Sequence, residues 1–143
     1  MLEYLSLLQL FCTTAMVGLI WFVQFVHYPL FGYVDATRFI AFEQSHQQRT
    51  TVIVAPLMIT EALLSLVWLW WRPEGTSLVV AVVGVLLVAV IWLSTLLLQV
   101  PAHGQLAKGN DAQVHRRLVR SNWIRTFAWT IRGGLLIWVA ANR

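Results

Sequence analysis

The histidines of this chain, together with one carboxylate, have the spacing that most clearly suggests chemistry. Glu43 and His46 are three residues apart, so on a helix they place a carboxylate and an imidazole on one face. Such pairs bind metals inside helical bundles, and nitrogen and carboxylate ligands suit iron, zinc or manganese. His27 and His103 are expected at the same end of the predicted helices. We therefore predict one transition-metal site, with iron the expected ion, formed by His27, Glu43, His46 and His103.

A second candidate pair consists of two opposite charges within long apolar stretches. Glu61 and Arg132 each lie about 15–16 Å inside a predicted helix, counted from the same side. A charge in such a place is costly unless it has a partner or a function. We predict that the two residues form an ion pair, which either fixes helix packing or acts catalytically by holding a substrate group or relaying protons. About 22 Å separates His46 from Glu61 along a straight helix, too far for one ion.

The composition indicates that these residues belong to a membrane protein. Hydrophobic residues make up 59% of the 143 residues and charged residues only 11%, unlike a soluble domain. The net charge of +4 does not indicate a nucleic-acid partner, because the basic residues lie in short connections between apolar segments. The single cysteine, Cys12, lies in the first apolar segment and cannot form an internal disulfide.

Four segments are long and apolar enough to cross a bilayer, which takes about 20 helical residues. The helices are expected at about residues 5–27, 36–71, 77–101 and 122–141, with residues 108–120 as a polar connection. Pro29 and Pro101 should end helices one and three, and Pro56 should kink helix two. No cleavable signal peptide is expected, so the first helix should remain. The predicted fold class is an all-α, integral membrane antiparallel four-helix bundle, one domain over residues 1–143.

Basic residues are unequally distributed between the two ends of the predicted bundle. Seven lie on the side of the connections after helices one and three, namely Arg38, Arg49, Lys108, Arg116, Arg117, Arg120 and Arg125. Only Arg72 and Arg143 lie on the opposite side. The positive-inside rule then places the first set in the cytoplasm and both termini outside it, as expected for a bacterial inner membrane.

Polar residues also follow helical stripes that should face the bundle interior. The stripes comprise Thr13, Gln24 and His27 on helix one, Glu43, Gln47, Thr50 and Glu61 on helix two, and Asn122, Arg125, Trp129 and Arg132 on helix four. We predict a polar track from the cytoplasmic mouth to Glu61 and Arg132, with Gln24 or Asn122 orienting the imidazoles. Two other interpretations of the histidines stay open: hydrogen bonding to headgroups or loops, or axial ligation of a haem or chlorin. His115, beside two arginines, is expected to be solvated.

The last third of the chain resembles a small four-helix membrane family that includes the fungal anthrone oxygenases. The resemblance rests on Pro101-Ala-His-Gly-Gln-Leu106 and on Asn122-Trp123-Ile-Arg125-Thr126. It implies oxidation of a hydrophobic, often aromatic or polyketide, substrate at the membrane, with Asn122, Trp123 and Arg125 as site residues. The chain departs from that family in His103, where asparagine is usual, and in its additional His27, His46 and Glu61. A metal-dependent oxidase on the same scaffold would explain these departures.

The function predicted from the sequence is therefore that of a membrane oxidoreductase. Its expected partners are the lipid bilayer and a lipophilic aromatic, quinone-like or isoprenoid substrate, with Asn122, Arg125, Glu61 and Arg132 as candidate catalytic residues. A metal at the histidines would activate oxygen or an electron acceptor. The alternative is a non-enzymatic accessory subunit of a larger membrane complex that ligates haem or chlorin through a histidine. A homo-oligomer is compatible with both, and a transporter is disfavoured because no inverted repeat is present.

Overall fold

The computed structural model describes residues 1–142, and these form four long helices joined by short connections. The helices are α1 (Leu2–Tyr33), α2 (Phe39–Val67), α3 (Leu78–Leu106) and α4 (Ala112–Ala141). They pack in a ring, in which α1 contacts α2 and α4, and α3 contacts α2 and α4. Because the connections are short, neighbours in sequence run antiparallel, as predicted.

Two of the helices continue through a proline at which the sequence predicted an end. In α1 a π-helical turn over Val23–His27 precedes Pro29, and in α3 a π-helical turn over Thr95–Gln99 precedes Pro101. Proline lacks an N–H and its ring clashes with the carbonyl one turn earlier, and the widened turn accommodates both defects. The predicted ends at Pro29 and Pro101 are therefore wrong, and each helix extends for several further residues.

The boundaries of the other helices also differ from prediction, and at the start of α4 a side-chain cap is the cause. Asp111 Oδ1 accepts the N–H groups of Gln113 and Val114 at 2.7 and 3.1 Å, so α4 begins at Ala112 and not near residue 122. Such capping satisfies N–H groups that the first turn leaves free. Helix α2 spans Phe39–Val67 in place of the predicted 36–71, and it continues without a break through Pro56.

Three helices within residues 1–142, α1, α2 and α3, are long and apolar enough to cross a membrane. Helix α4 has the length but carries Asn122, Arg125 and Arg132, which lower its mean hydropathy. These three side chains are buried between helices, with exposed fractions of 0%, 7% and 0%. These three polar side chains of α4 thus face protein and not the surroundings.

Candidate functional site

The predicted convergence of His27, Glu43, His46 and His103, called the histidine cluster below, is confirmed. His27 Nε2 lies 2.8 Å from His46 Nδ1, and His103 Nδ1 lies 2.6 Å from Glu43 Oε1. The rings of His46 and His103 are 5.1 Å apart, centroid to centroid. The final turns of α1 and α3 and the first turns of α2 meet at one end of the bundle, so three helices contribute to the cluster.

The cluster is held together by direct hydrogen bonds, an arrangement that does not fit a metal. Ligand atoms that share one ion at about 2.1 Å lie roughly 3 Å or more apart and point their lone pairs at it. Here the ring nitrogens of His27 and His46 point at each other. Among residues 1–142, no group of three or more His, Cys, Asp or Glu has a geometry that could hold an ion. The metal site stays a prediction that would require the four side chains to separate.

Tyr28 is a central residue of this site that the sequence reasoning missed. Its hydroxyl lies 3.0 Å from His103 Nε2 and accepts a hydrogen bond from Arg125 Nη2 at 3.2 Å. The side chain is 3% exposed. Its position next to His27 could have indicated that Tyr28 belongs to the site, but Pro29 predicted that the helix ends there. Because the helix continues, Tyr28 is held inside the bundle.

Arg125, predicted as a site residue, is held in place by amide and hydroxyl groups. Its Nε donates to Asn122 Oδ1 at 2.9 Å, and Nη2 contacts the same oxygen. Asn122 Nδ2 in turn donates to Gln24 Oε1 at 2.9 Å. The prediction that Gln24 or Asn122 orients an imidazole is therefore wrong. They orient Arg125, and the His46 imidazole is instead contacted by Thr50, whose Oγ1 lies 3.1 Å from His46 Nδ1.

His115 is not simply solvated, contrary to the prediction. It is half-buried, its Nε2 lies 2.7 Å from the Tyr28 carbonyl oxygen, and its ring stacks on Phe31 with an interplanar angle of 10°. The carbonyl can only accept, so Nε2 is the protonated nitrogen of the ring. His115 therefore fixes the end of α1 and thereby the position of Tyr28.

A cavity of about 290 Å³ lies beside the histidine cluster, within the ring of helices. Most of its lining is apolar, including Met16, Ile20 and Met58. Polar groups also line it, namely Tyr28, His46, Gln47, Thr50, Thr51, Thr95, Gln99, His103 and Arg125. Both hydrogen bonds of His46 use Nδ1, which leaves Nε2 available to a molecule in the cavity. The arrangement can bind an apolar molecule and hold one oxygen of it by several polar groups.

The predicted pairing of Glu61 with Arg132 is confirmed, and the pair is the centre of a second polar network. Arg132 Nε lies 3.2 Å from Glu61 Oε1, and both side chains are at most 2% exposed. Glu61 also accepts hydrogen bonds from Thr13 Oγ1 at 2.5 Å and Trp129 Nε1 at 2.9 Å. The remaining donors of Arg132 bind the Gly84 carbonyl at 2.9 Å and Ser65 Oγ at 2.6 Å. A Cβ at Gly84 would lie 3.2 Å from Nη1, so glycine permits this close approach.

Trp129 connects the two networks. Its Nε1 binds Glu61, while the guanidinium carbon of Arg125 lies 6.0 Å from its ring centroid. Buried polar groups thus extend from the histidine cluster to Glu61 and Arg132, as the stripes predicted. Because Glu61 and Arg132 satisfy each other and do not line the cavity, their contacts are those of a structural pair.

Comparisons with protein families, with curated proteins and with solved structures found no match to this chain. The resemblance to the anthrone oxygenase family therefore stays a prediction.

Proposed function

We propose, first, that the chain is an integral membrane protein in which all four helices cross the bilayer. The distribution of side chains supports this, because the buried charged side chains find partners inside the bundle and many of the exposed side chains are large and apolar. On α4 the exposed residues include Ile124, Phe127, Ile131 and Ile137, whereas Arg132 on the opposite face is buried. Lipid favours such an arrangement, because each intramembrane charge then has a protein partner. After an alkaline carbonate wash of isolated membranes, the protein should stay in the pellet, and its release would contradict the proposal.

We propose, second, that the protein is a membrane oxidoreductase acting on a lipophilic substrate with an ionisable oxygen, such as a phenol, enol or hydroquinone. The single observation that carries this proposal is the apolar cavity with Tyr28, His46 and Arg125 in its wall. Mostly apolar pockets with a few convergent polar groups are the usual form of a small-molecule site. The guanidinium of Arg125 is suited to hold an oxygen that becomes negatively charged.

The hydrogen bonds around Tyr28 support a route for the proton that such a substrate must lose. Glu43 Oε1 accepts from both His103 Nδ1 and Gln47 Nε2, which leaves His103 Nε2 as the acceptor for the Tyr28 hydroxyl. The Tyr28 oxygen then has a lone pair free for a substrate proton while its own proton passes to His103. One substrate O–H bond breaks and one N–H bond forms at His103, and Arg125 lies beside the new anion. The subsequent oxidation transfers electrons to an acceptor, which we propose to be dioxygen dissolved in the bilayer.

The proposed oxidation is tested with purified protein in lipid nanodiscs and with anthrone as the probe. We expect protein-dependent dioxygen consumption and formation of an oxidised product by absorbance. The variant Arg125→Gln should lower kcat/KM by about 10²-fold, because one stabilising contact to the developing charge is lost. Arg120→Gln, an exposed arginine on the same helix, is the control and should have no effect. Wild-type rates equal to the rate without protein would contradict the proposal for this substrate class.

The cofactor predictions are decided by metal analysis and an absorption spectrum of the same preparation. Glu43 Oε2 is buried and has no hydrogen-bond partner among the described residues, which leaves one carboxylate oxygen for a metal or a water molecule. Stoichiometric iron lost in His46→Gln would support the metal-dependent form of the oxidoreductase. A Soret band would instead support the accessory subunit that ligates a tetrapyrrole.

A further inference from the structure

We propose that the cavity opens sideways into the lipid between α2 and α3, and that this opening admits a ring-headed molecule whose tail stays in the bilayer. The inference rests on the proposed function, because it concerns the same cavity. It specifies the substrate class as a lipid with one aromatic or quinone-like ring and one long apolar tail.

The exposure of the cavity wall gives the position of the opening. Three exposed residues line the cavity, Thr51 on α2 and Leu96 and Val100 on α3, and the last two are 53% and 54% exposed. The lining residues of α4, Arg125 and Trp129, are buried. The exposed part of the cavity wall thus lies where α2 and α3 face each other, and we call this gap the lateral window.

Polar contacts hold α2 and α3 together above and below the lateral window. At the histidine cluster, Gln47 Nε2 donates to the His103 carbonyl at 3.0 Å, and Glu43 binds the His103 ring. Nearer the other end, Arg132 bridges the two helices by binding Ser65 of α2 and Gly84 of α3. Between these two sets of polar contacts, the residues of α2 and α3 that line the cavity include the apolar side chains of Val54, Ala55 and Trp92.

The backbone of α3 is irregular beside the window. The π-helical turn over Thr95–Gln99 includes Leu96, one of the window residues, and it precedes Pro101. Such turns break the regular ladder of backbone hydrogen bonds and are frequent at functional sites. We therefore expect the segment of α3 that borders the window to shift when a molecule passes.

The volume of the cavity favours a ring with a protruding tail. Pockets for drug-sized ligands are about 300–1,000 Å³, and the cavity of about 290 Å³ is at the small end of that range. It has room for a ring system beside Tyr28 and Arg125 but not for a long chain as well. A tail that passes through the window stays in lipid, where it loses no favourable apolar contacts.

The test compares two phenol probes of the same head group in nanodiscs, one without a tail and one with a decyl tail. The variants are Leu96→Trp, which adds bulk at the rim, and Leu97→Trp. Leu97 is the adjacent leucine, 67% exposed and not part of the cavity lining, so it is a matched control. We expect Leu96→Trp to raise the Kd of the tailed probe by about tenfold, equivalent to about 1.4 kcal/mol, with a change of less than about threefold for the tail-less probe. Leu97→Trp should affect neither.

The possible results distinguish a failure of the lateral window from a failure of the proposed function. If both probes bind and Leu96→Trp has the same effect as Leu97→Trp, the lateral window is wrong and the proposed function stands. If Leu96→Trp weakens both probes equally, bulk at the rim fills the cavity and the tail does not pass there. If neither probe binds to the wild-type protein, the proposed function itself fails. A Leu96→Ala variant that binds the tailed probe faster than the wild type would add support.

Discussion

At the scale of single residues, the buried polar side chains of this protein bind one another with few exceptions. Tyr28 connects two groups of buried polar side chains, because its oxygen contacts both the His103 ring and the Arg125 guanidinium. Tyr28 also lines the cavity, whereas Glu43 does not and contacts the lining residues His103 and Gln47. The hydroxyl of Tyr28 is therefore the group whose removal should separate catalysis from binding.

Replacing Tyr28 with phenylalanine should lower kcat by about 10²-fold and leave KM within about threefold of the wild-type value. The substitution keeps the buried ring and removes only the hydroxyl, so the cavity should keep its shape. Steady-state dioxygen consumption measures both constants. Tyr33→Phe, at a position 87% exposed, is the control. A rise in KM with an unchanged kcat would mean that Tyr28 binds substrate without taking part in proton transfer.

Removing one partner of the Glu61–Arg132 pair should destabilise the protein by about 3–5 kcal/mol, because a buried charge is then left unpaired. The double variant Glu61→Gln with Arg132→Leu should cost less than the sum of the two single variants. Unfolding of the detergent-solubilised variants, followed by circular dichroism, measures all three. Strict additivity would show that the two charges do not stabilise each other.

At the scale of the helices, two kinds of local hydrogen bonding determine where the site residues lie. The π-helical turns carry α1 and α3 past their prolines, which keeps Tyr28 and His103 on helices that face the cavity. Capping by Asp111 starts α4 ten residues earlier than predicted. His115 is thereby placed on α4, where it reaches the Tyr28 carbonyl.

Asp111→Ala should destabilise the start of α4 by about 1 kcal/mol, because two N–H groups lose their acceptor. Asp111→Asn keeps an acceptor oxygen and should cost only a small part of that amount. Hydrogen exchange of the amides of Gln113 and Val114 is the most direct measurement, and it should accelerate in the alanine variant alone. Equal exchange in the wild type and in Asp111→Ala would mean that α4 does not depend on this cap.

At the scale of the whole molecule, the two ends of the bundle differ in charge. The end that carries the histidine cluster has seven of the basic residues named above, and among residues 1–142 the opposite end has only Arg72. The positive-inside rule then predicts that the cluster opens toward the cytoplasm and that both termini lie on the other side. A periplasm-specific reporter fused after residue 143 should be active, and a cytoplasm-specific reporter should be inactive. The reverse pattern would invert the orientation and leave the site unchanged.

The sequence alone determines the helical class and the main buried pair. Long apolar segments can satisfy their backbone groups in lipid only as helices, so the helical class and the approximate positions of α1, α2 and α3 follow from hydropathy. Glu61 and Arg132 were predicted as partners because opposite charges at equal depth stabilise each other, and the ion pair confirms this. The convergence of the histidine cluster likewise follows from alternating helix directions.

Only the tertiary structure decides how these residues contact one another. The sequence predicted metal ligands, whereas the described cluster consists of direct hydrogen bonds, since the distance between two imidazoles depends on how closely α1 and α2 pack. Tyr28 was missed because a proline can either end a helix or be accommodated by a π-helical turn. In α1, packing against α3 and α4 favours the π-helical turn. The cavity and its lateral window depend on the volumes of side chains from all four helices. The residue pattern along a single helix cannot predict a cavity whose volume depends on side chains of four helices.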